Sequence, residues 1–251
     1  METTEYALMD AVEDRMWWYR AVHARLLDAL GDRPGPDGLP WLDAGCGTGG
    51  FLTRIRERFP GRRLAGIEFN PAAAARAAQK SGAKVATGDI NAMPYGDGAF
   101  GAAVAVDVVC HRAVDPVRAL AELHRVLAPG GTLILNLPSY EWLRSAHDHQ
   151  VHTGFRTTVT DARARLAAAG FVDIRAVYWN SLLLPLMILQ RKVLHHKPGD
   201  SSDVGEFPAW LDATLHGVTR IERALARMGL RYPAGGSVMA IATRPPGTRA
   251  P

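Results

Sequence analysis

Four glycines and one aspartate lie close together in the stretch WLDAGCGTGG. Gly45, Gly47 and Gly50 satisfy the G-x-G-x-x-G pattern of a turn that binds a dinucleotide. Gly49 also makes the pattern G-x-G-x-G with Asp43 before it, which is typical of a loop for another cofactor, S-adenosylmethionine. The loop alone therefore predicts a ligand that contains adenosine, and it leaves NAD and S-adenosylmethionine as alternatives.

Acidic residues follow at the ends of the next predicted strands, and they help to separate the two cofactors. Glu68 lies 21 residues after Gly47, where either ligand needs a carboxylate to accept its ribose hydroxyls. Asp43 suits an ammonium group better than a pyrophosphate, because like charges repel each other. Asp89 and Ile90 offer a carboxylate for the adenine amino group and an apolar side chain for the ring. This set favours S-adenosylmethionine.

The segment HDHQVH supplies candidate bases. Methyl transfer from a sulfonium is an in-line displacement, so the protein must align donor and acceptor and provide one base for a hydroxyl or amine acceptor. We expect His149 and His152, which share a helix face, to serve the acceptor, with His111 as a third candidate base or a packing residue. His147 is expected to be structural. His/Asp clusters also bind zinc or iron, but a second carboxylate cluster is missing, and we expect no metal.

Strands and helices alternate along most of the chain, which predicts an α/β fold with a mostly parallel sheet and helices on both faces. Apolar residues at helical spacing predict one long helix over residues 5–30, and GDRPGPDGLP predicts a turn-rich linker after it. Thr160 is the expected N-cap of the helix in TDARARLAAAG. SVMAIATR is the last predicted strand.

Composition narrows the function class only modestly. The 251 residues are 47% hydrophobic and 22% charged, as expected for a globular protein with a substantial core. The formal net charge of +4 comes from scattered arginines, so we expect no nucleic-acid partner. Two cysteines at unrelated positions favour neither a metal site nor a disulfide framework. The start of the chain lacks the pattern of a signal peptide and no run is long enough to span a bilayer, so we expect a cytoplasmic location.

Several motifs, taken in order, resemble those of the class I S-adenosylmethionine-dependent methyltransferases: DAGCGTGG, IEFN, GDINAMPYGDGAFGAAVAVD and LHRVLAPGGTLIL. The resemblance covers residues 39–180 and implies a Rossmann-like, seven-stranded sheet whose last strand, SVMAIATR, is antiparallel. It also implies S-adenosylmethionine as the cofactor and an N-terminal helix that folds over it. The predicted cofactor-binding residues are Asp43, Gly45, Cys46, Gly47, Gly49, Glu68, Phe69, Asp89, Ile90, Asp107 and Tyr19.

A narrower resemblance, to a bacterial subfamily of small-molecule methyltransferases, rests on RMWWYRAVHARLLDAL, HDHQVH and YWNSLLLPL. Members often carry a histidine–aspartate segment, then basic residues and a tyrosine, which implies that this segment faces the substrate. This chain departs from that pattern, because Thr157 stands near the position expected for the tyrosine. The predicted substrate-binding residues are Tyr140, Asp148, Arg156, Tyr178 and Asn180.

The apolar run Leu182–Leu189 is too short to span a membrane. We expect a wall or cap of the acceptor pocket, and a dimer contact or a membrane-interface segment are the alternatives. Arg156, Arg191 and Lys192 near this run would suit a lipophilic substrate with an anionic head, such as a prenyl diphosphate.

These observations predict four regions, which are an N-terminal helical lid (1–38), a cofactor-binding core (39–180), a helical cap and substrate region (181–236), and a last strand with a tail (237–251). The predicted function is methyl transfer to a small-molecule acceptor, lipophilic or a specialised metabolite, with a histidine in the acceptor site. Carbon methylation of a prenyl diphosphate is the alternative. An NAD-dependent oxidoreductase, a non-catalytic S-adenosylmethionine-binding module and a nucleic-acid methyltransferase are the remaining rivals, and the sequence leaves the oligomeric state open.

Overall fold

The computed structural model describes residues 3–191 and 207–247, and the described chain contains a seven-stranded sheet. The strands are β1 (Trp41–Ala44), β2 (Leu64–Glu68), β3 (Lys84–Thr87), β4 (Phe100–Val106), β5 (Leu127–Pro138), β6 (Val172–Trp179) and β7 (Ser237–Thr243). Their order across the sheet is β3-β2-β1-β4-β5-β7-β6. Strands β1 to β5 pair in parallel, and β7 pairs antiparallel with both β5 and β6. The predicted Rossmann-like sheet with SVMAIATR as the antiparallel strand is confirmed.

The α-helices of the described residues cover the sheet and its carboxyl edge. They are α1 (Thr3–Val12), α2 (Trp17–Asp32), α3 (Gly50–Arg58), α4 (Pro71–Ser81), α5 (Pro116–Val126), α6 (Ala146–Gln150), α7 (Val159–Ala168), α8 (Leu184–Leu189) and α9 (Ala209–Arg227). Two apolar clusters pack on the sheet, one containing residues of α5 and α7 and the other residues of α2, α3 and α4. Helices therefore lie on both faces, as predicted.

Two of the core helices begin at sites that the sequence encodes directly. Asn70 precedes Pro71, and its side chain accepts hydrogen bonds from two backbone N–H groups of the first turn of α4, at 2.9 and 3.1 Å. Asp115 precedes Pro116 and does the same for α5, at 2.9 and 3.2 Å. The side-chain cap satisfies N–H groups that have no helical partner, and proline fits the first helical position. These caps fix where the helices leave the carboxyl ends of the strands.

The N-terminal helix differs from the sequence prediction. The predicted helix over residues 5–30 is broken after Val12, and α2 begins at Trp17. The break is fixed from elsewhere in the chain, because the backbone N–H of Trp17 donates to the Asp212 carboxylate of α9 at 2.6 Å. A partner 195 residues away is invisible to a local hydrophobic pattern.

The predicted cap of α7 is also wrong by two residues. Thr158, not Thr160, is the N-cap, and its hydroxyl accepts a hydrogen bond from the N–H of Asp161 at 3.1 Å. The helix begins earlier because Thr158 has extended backbone angles while Val159 already belongs to the helix. Thr160 therefore lies inside the first turn.

Helices α2 and α9 pair closely through charged side chains. Arg223 donates two hydrogen bonds to Asp28, at 2.6 and 2.5 Å, and Arg20 pairs with Asp212 at 2.7 Å. An apolar cluster that includes Trp17 and Leu215 lies between the same two helices. This pair of helices closes one side of the carboxyl edge of the sheet. No helix in the described ranges is long and apolar enough to cross a bilayer.

Candidate active site

A cavity of about 1100 Å³ opens at the carboxyl edge of the parallel strands, where α/β sheets usually bind ligands. Strands β1, β2, β4 and β5 reach it with their carboxyl ends, while α1, α2, α6 and the residues around Asn180 surround it. Most predicted site residues line this cavity. They are Tyr19, Asp43, Gly45, Cys46, Gly47, Glu68, Phe69, Asp89, Ile90, Asp107, His111, Asp148, His152, Arg156 and Asn180.

The glycine loop follows β1 and has a backbone that other residues would strain. Gly45 has a φ of +82°, and a Cβ at this position would lie 2.3 Å from the Val108 side chain. Gly49 has a φ of +92° and packs against the backbone of Ala77. It is the N-cap of α3, which begins at Gly50. Gly49 does not line the cavity, so its contribution is the shape of the loop. Only glycine adopts such angles without steric cost.

Glu68 ends β2 and links the loop to the second strand. Its carboxylate accepts hydrogen bonds from the backbone N–H of Gly47 at 3.0 Å and from that of Asn70 at 3.0 Å. The hydroxyl of Tyr6, on α1, donates to the same carboxylate at 2.7 Å. Burial and this hydrogen bond raise the pKa of the Tyr6 hydroxyl, so it remains a donor. Glu68 is therefore a preformed acceptor at the position predicted for the ribose hydroxyls.

Asp43, in β1, is the most unusual acid of the site. Its side chain is buried, and its Oδ2 atom has no hydrogen-bond partner among the described residues. Burial and the nearby Glu13 and Glu68 raise the pKa of Asp43 to about 8. A buried acceptor without a partner costs free energy, and a ligand ammonium would satisfy it. These properties fit the amino-acid end of S-adenosylmethionine.

Asp89 and Asp107 complete the acidic rim at the next strand ends. Asp89 accepts hydrogen bonds from the backbone and side chain of Asn91, at 2.8 and 2.9 Å, and Ile90 beside it is buried. Asp107 has a φ of +55° and accepts a hydrogen bond from the Asn136 amide at 3.0 Å. Burial raises the pKa of Asp107 to about 7. Phe69 is 75% exposed at the mouth of the cavity.

Helix α1 lies directly over the glycine loop. The Met9 side chain is the nearest neighbour of a Cβ placed on Gly47, and Glu13 accepts a hydrogen bond from the Thr48 hydroxyl at 2.7 Å. Lys80, on α4, binds Glu13 at 2.8 Å and also pairs with Asp10 and Asp14. This charged cluster holds α1 against the core. Tyr19, on α2, is partly buried beside the same cavity, and desolvation raises the pKa of its hydroxyl.

The predicted bases are separated by the fold. His111 and His152 line the cavity with their rings 5.7 Å apart, whereas His149 is exposed and does not line it. Burial lowers the pKa of His111 to about 4, so this ring is neutral near pH 7. Its Nδ1 accepts a hydrogen bond from the N–H of Ala113 at 3.2 Å, which leaves the proton of the neutral ring on Nε2. In this tautomer the Nε2 atom of His111 is a hydrogen-bond donor.

His149 is placed outside the cavity because α6 is shorter than a helical interpretation of HDHQVH requires. The helix ends at Gln150, and His152 has a φ of +57° in the turn that follows. The two histidines therefore do not share a helix face. Among the described residues no group of three His, Cys, Asp or Glu side chains could hold a metal ion.

Asp148 and Arg156 bind each other inside the wall of the cavity. The guanidinium donates to both carboxylate oxygens at 2.9 Å, and its third nitrogen donates to the Ser139 carbonyl at 2.9 Å. Although burial opposes ionisation, Arg156 lowers the pKa of Asp148 below its usual range. This buried pair joins α6 to the end of β5. Its charges are thus already matched before any ligand arrives.

Tyr140 and Tyr178 lie outside the cavity, which does not support their predicted role in substrate binding. Their rings stack on each other with centroids 5.3 Å apart, and the Tyr178 hydroxyl accepts a hydrogen bond from the N–H of Val159. Side chains alternate along a strand, so Tyr178 faces α7 while its neighbour Trp179 faces the opposite layer. Asn180, one residue further on, does line the cavity.

The run Leu182–Leu189 contributes to the cavity through Met187, while Leu186 and Leu189 are exposed. Arg191 also lines the cavity and donates to the Leu143 carbonyl at 2.8 Å. Lys192 lies outside the described residues.

The predicted site residues do not include several cavity residues of the N-terminal segment, among them Tyr6, Glu13 and His23. His23 is buried with its Nδ1 unpartnered within the described part of the chain, and burial lowers its pKa to about 3. Glu13 stands at the break between α1 and α2, where a buried acid interrupts an otherwise amphipathic pattern. An acid within this amphipathic pattern was the feature of the sequence that indicated a site residue.

Comparisons with known proteins agree with this geometry. Residues 42–135 match the family model described as a methyltransferase domain. A demethylmenaquinone methyltransferase from Thermus thermophilus is 40% identical over 99 residues, which are 38% of this chain and 44% of the relative. An uncharacterized 37.1 kDa protein in a transposon of Streptomyces fradiae is 34% identical over 157 residues, 60% of this chain and 44% of that protein. The chain thus spans less than half the length of these curated relatives.

A solved structure extends the likeness to nearly the whole fold. A SAM-dependent methyltransferase from Thermotoga maritima superposes with a TM-score of 0.60 and 21% identity, over 96% of this chain and 95% of that one. The likeness covers the helices outside the matched domain, and at this identity it concerns the fold. The chain therefore contains a methyltransferase domain over residues 42–135, and its fold is similar to that of a SAM-dependent methyltransferase.

Proposed function

We propose that this protein transfers the methyl group of S-adenosylmethionine to a small, largely apolar acceptor. One observation carries the proposal: the cavity that contains the cofactor residues continues into an apolar wall without a partition. That wall includes Met16, Trp17, Trp18, Met187 and Phe207. Donor and acceptor can therefore meet in one space, where they can be aligned for an in-line displacement.

Within this function, each cofactor residue has a distinct task. Asp43 and the backbone of the glycine loop hold the amino-acid end, Glu68 accepts the ribose hydroxyls, and Asp89 with Ile90 receives the adenine. The bound cofactor supplies an electrophilic methyl group on a sulfonium, which is already a good leaving group. The protein's own contribution is alignment, exclusion of water and removal of one proton from the acceptor.

His152 is the proposed base. It lines the cavity, whereas His149 does not, and the Nδ1 lone pair of His111 already accepts a hydrogen bond from the N–H of Ala113. His111, 5.7 Å from the His152 ring, would instead orient the acceptor as a hydrogen-bond donor. A hydroxyl or amine acceptor would lose its proton to His152 as the new bond to carbon forms.

A prenyl diphosphate fits the cavity less well. Among the described lining residues there are seven carboxylates and two guanidinium groups. Arg156 is already paired with Asp148, and Arg191 donates to a backbone carbonyl. A diphosphate needs several cations, whereas acidic side chains outnumber guanidinium groups in the lining of this cavity.

The four predicted regions remain our proposal for the division of the chain, with the lid and the cap on either side of the cavity.

Titration calorimetry tests the cofactor and the class of enzyme. We expect S-adenosylmethionine and S-adenosylhomocysteine to bind and NADH not to bind. Methyl transfer from a radiolabelled donor would then be measured on apolar phenols, amines and prenyl diphosphates, with His152→Ala compared with His149→Ala. Turnover should fall in the first variant and persist in the second. Binding of NADH alone, or equal loss in both variants, would contradict the proposal.

A further inference from the structure

The turn that follows β6 is held in an unusual conformation at the wall of the cavity. Asn180 has a φ of +57°, a left-handed angle that asparagine tolerates better than most residues. Its carbonyl accepts a hydrogen bond from the N–H of Gly236 at 3.1 Å, so the turn is tied to the start of β7. Strained angles of this kind persist where the surroundings over-determine them, often at ligand sites.

Glu222, on α9, fixes the same turn from the other side. Its carboxylate accepts hydrogen bonds from the backbone N–H groups of Asn180, Ser181 and Leu182, at 2.7, 2.7 and 3.0 Å. It also pairs with Arg25 of α2 at 3.2 Å, and both side chains are buried. One carboxylate thus satisfies three successive donors and sets the position of Asn180.

The Asn180 side chain is left with an unused acceptor. The residue is 2% exposed and lines the cavity, and its Nδ2 donates to the Met187 sulfur at 3.4 Å. Its Oδ1 has no hydrogen-bond partner in the part of the chain that the structure describes. A buried amide oxygen without a partner is unfavourable, and a ligand with an O–H or N–H group would remove that cost.

We propose that Asn180 Oδ1 accepts a hydrogen bond from a hydroxyl or amine on an apolar methyl acceptor, and that Glu222 is the positioning residue for Asn180. This inference rests on the proposed function and narrows its substrate class. Acidic side chains outnumber guanidinium groups by seven to two among the described lining residues, and Arg156 is already paired with Asp148, so the lining offers no cluster of cations and favours a neutral or cationic acceptor over an anionic one. The apolar body of the acceptor lies against Met187 and its neighbours.

Three matched probes test the recognition directly: 4-ethylphenol, ethylbenzene and 4-ethylphenyl phosphate, titrated into protein saturated with S-adenosylhomocysteine. We expect the phenol to bind about three- to tenfold more tightly than ethylbenzene, as one neutral hydrogen bond provides. The phosphate should bind more weakly than the phenol. Equal affinities for phenol and ethylbenzene, tighter binding of the phosphate, or no heat from any probe at millimolar concentration would contradict the inference.

Variants assign the preference to this residue. Asn180→Leu and Asn180→Gly both remove the acceptor, and glycine also suits the left-handed backbone, so at least one folded variant is available. In both variants the ratio of the affinity for 4-ethylphenol to the affinity for ethylbenzene should fall to about one. Ser181→Ala is the matched control, because Ser181 Oγ is also buried without a described partner but does not line the cavity. If the preference persists in Asn180→Gly, or disappears in Ser181→Ala, the assignment is wrong.

Glu222→Gln tests the positioning role. The amide can accept at only one oxygen, so the turn should loosen and the preference for phenol should fall, while the affinity for S-adenosylhomocysteine stays the same. A purely structural role would lower stability and leave the preference intact. The preceding titration of S-adenosylhomocysteine alone separates the two proposals: no binding refutes the proposed function, whereas binding without the phenol preference refutes only this inference.

Discussion

The two halves of the cavity are built on different principles. The donor half consists of the glycine loop and the strand-end acids Glu68, Asp89 and Asp107, and its shape comes from backbone angles and from short links such as Glu68 to Gly47. The proposed acceptor half is lined by α2, by residues of the segment from Ser139 to Thr157 and by the turn after β6, and α9 supports that turn from behind. Its shape comes from side chains that bind backbone groups far away in sequence, such as Glu222 to Asn180.

This difference predicts how each half responds to substitution. A donor half determined by backbone conformation should fail when a glycine gains a side chain, with little dependence on distant residues. An acceptor half determined by buried charges should fail when one partner of a pair is removed, because the other charge is left buried and unmatched.

Glu222→Ala should give the largest loss of stability. Removing this carboxylate leaves Arg25 buried without its ion pair and three backbone N–H groups without their acceptor. We expect the free energy of unfolding to fall by about 3–5 kcal/mol, measured by urea denaturation. At temperatures where the variant is folded, its affinity for S-adenosylhomocysteine should change by less than about threefold, because the halves are distinct. A much larger loss of affinity would show that the halves are coupled.

Gly45→Ala should disable the donor half. The new Cβ would lie 2.3 Å from Val108 in a residue with a φ of +82°, and strain with overpacking costs about 2–4 kcal/mol. Affinity for S-adenosylhomocysteine, measured by calorimetry, should fall by at least about thirtyfold. Gly96→Ala is the matched control, since nothing lies within 4 Å of a Cβ there. Similar affinities of the two variants would contradict the backbone argument.

Asp43 should make the stability of the ligand-free protein depend on pH. Its folded pKa is raised to about 8 by burial, so the folded protein keeps a proton that the unfolded chain releases above about pH 4. This contribution is full below pH 4 and is lost as the pH rises through 8, at up to about 1.4 kcal/mol per pH unit. Asp43→Asn should flatten the decline in urea denaturation between about pH 5 and 8. An unchanged slope would exclude Asp43 as its source.

Lys80→Met should have the smallest effect. Lys80 pairs with Asp10, Glu13 and Asp14 and so holds α1 over the glycine loop. Because the cluster is partly exposed, its removal should cost about 1 kcal/mol and weaken cofactor affinity by up to about fivefold. The exposed Lys84→Met serves as control. If added salt weakens cofactor binding equally in wild type and Lys80→Met, the cluster does not hold the lid.

The donor half could be predicted from the sequence because each residue follows a strand and the order of strands is fixed by the alternation of elements. Asp43, Glu68 and Asp89 occupy successive strand ends and do meet at the cavity. The acceptor half could not be predicted in the same way. Tyr178 was expected at the site, but its side chain packs on the face of the sheet that α7 covers, because alternate residues of a strand point to opposite faces.

The contacts that were missed share a large separation along the chain. Asp212 accepts the hydrogen bond from the first residue of α2, 195 positions before it. Glu222 accepts a hydrogen bond from Asn180, 42 positions before it. Neither contact leaves a periodic pattern near its partner. His149 failed for a local reason, since a helix of only five residues cannot carry a face as far as His152.

The pairing of α2 with α9 has a consequence for the order in which the molecule assembles and opens. Its ion pairs join residues 192 to 199 positions apart, and contacts of such separation form late because closing a long loop costs entropy. The sheet can gain most of its strands before α9 packs against α2, so the side of the cavity that this pair of helices closes should form last. For the same reason it should open first, and backbone amides of α2 and α9 should exchange with deuterium sooner than those of β4 and β5.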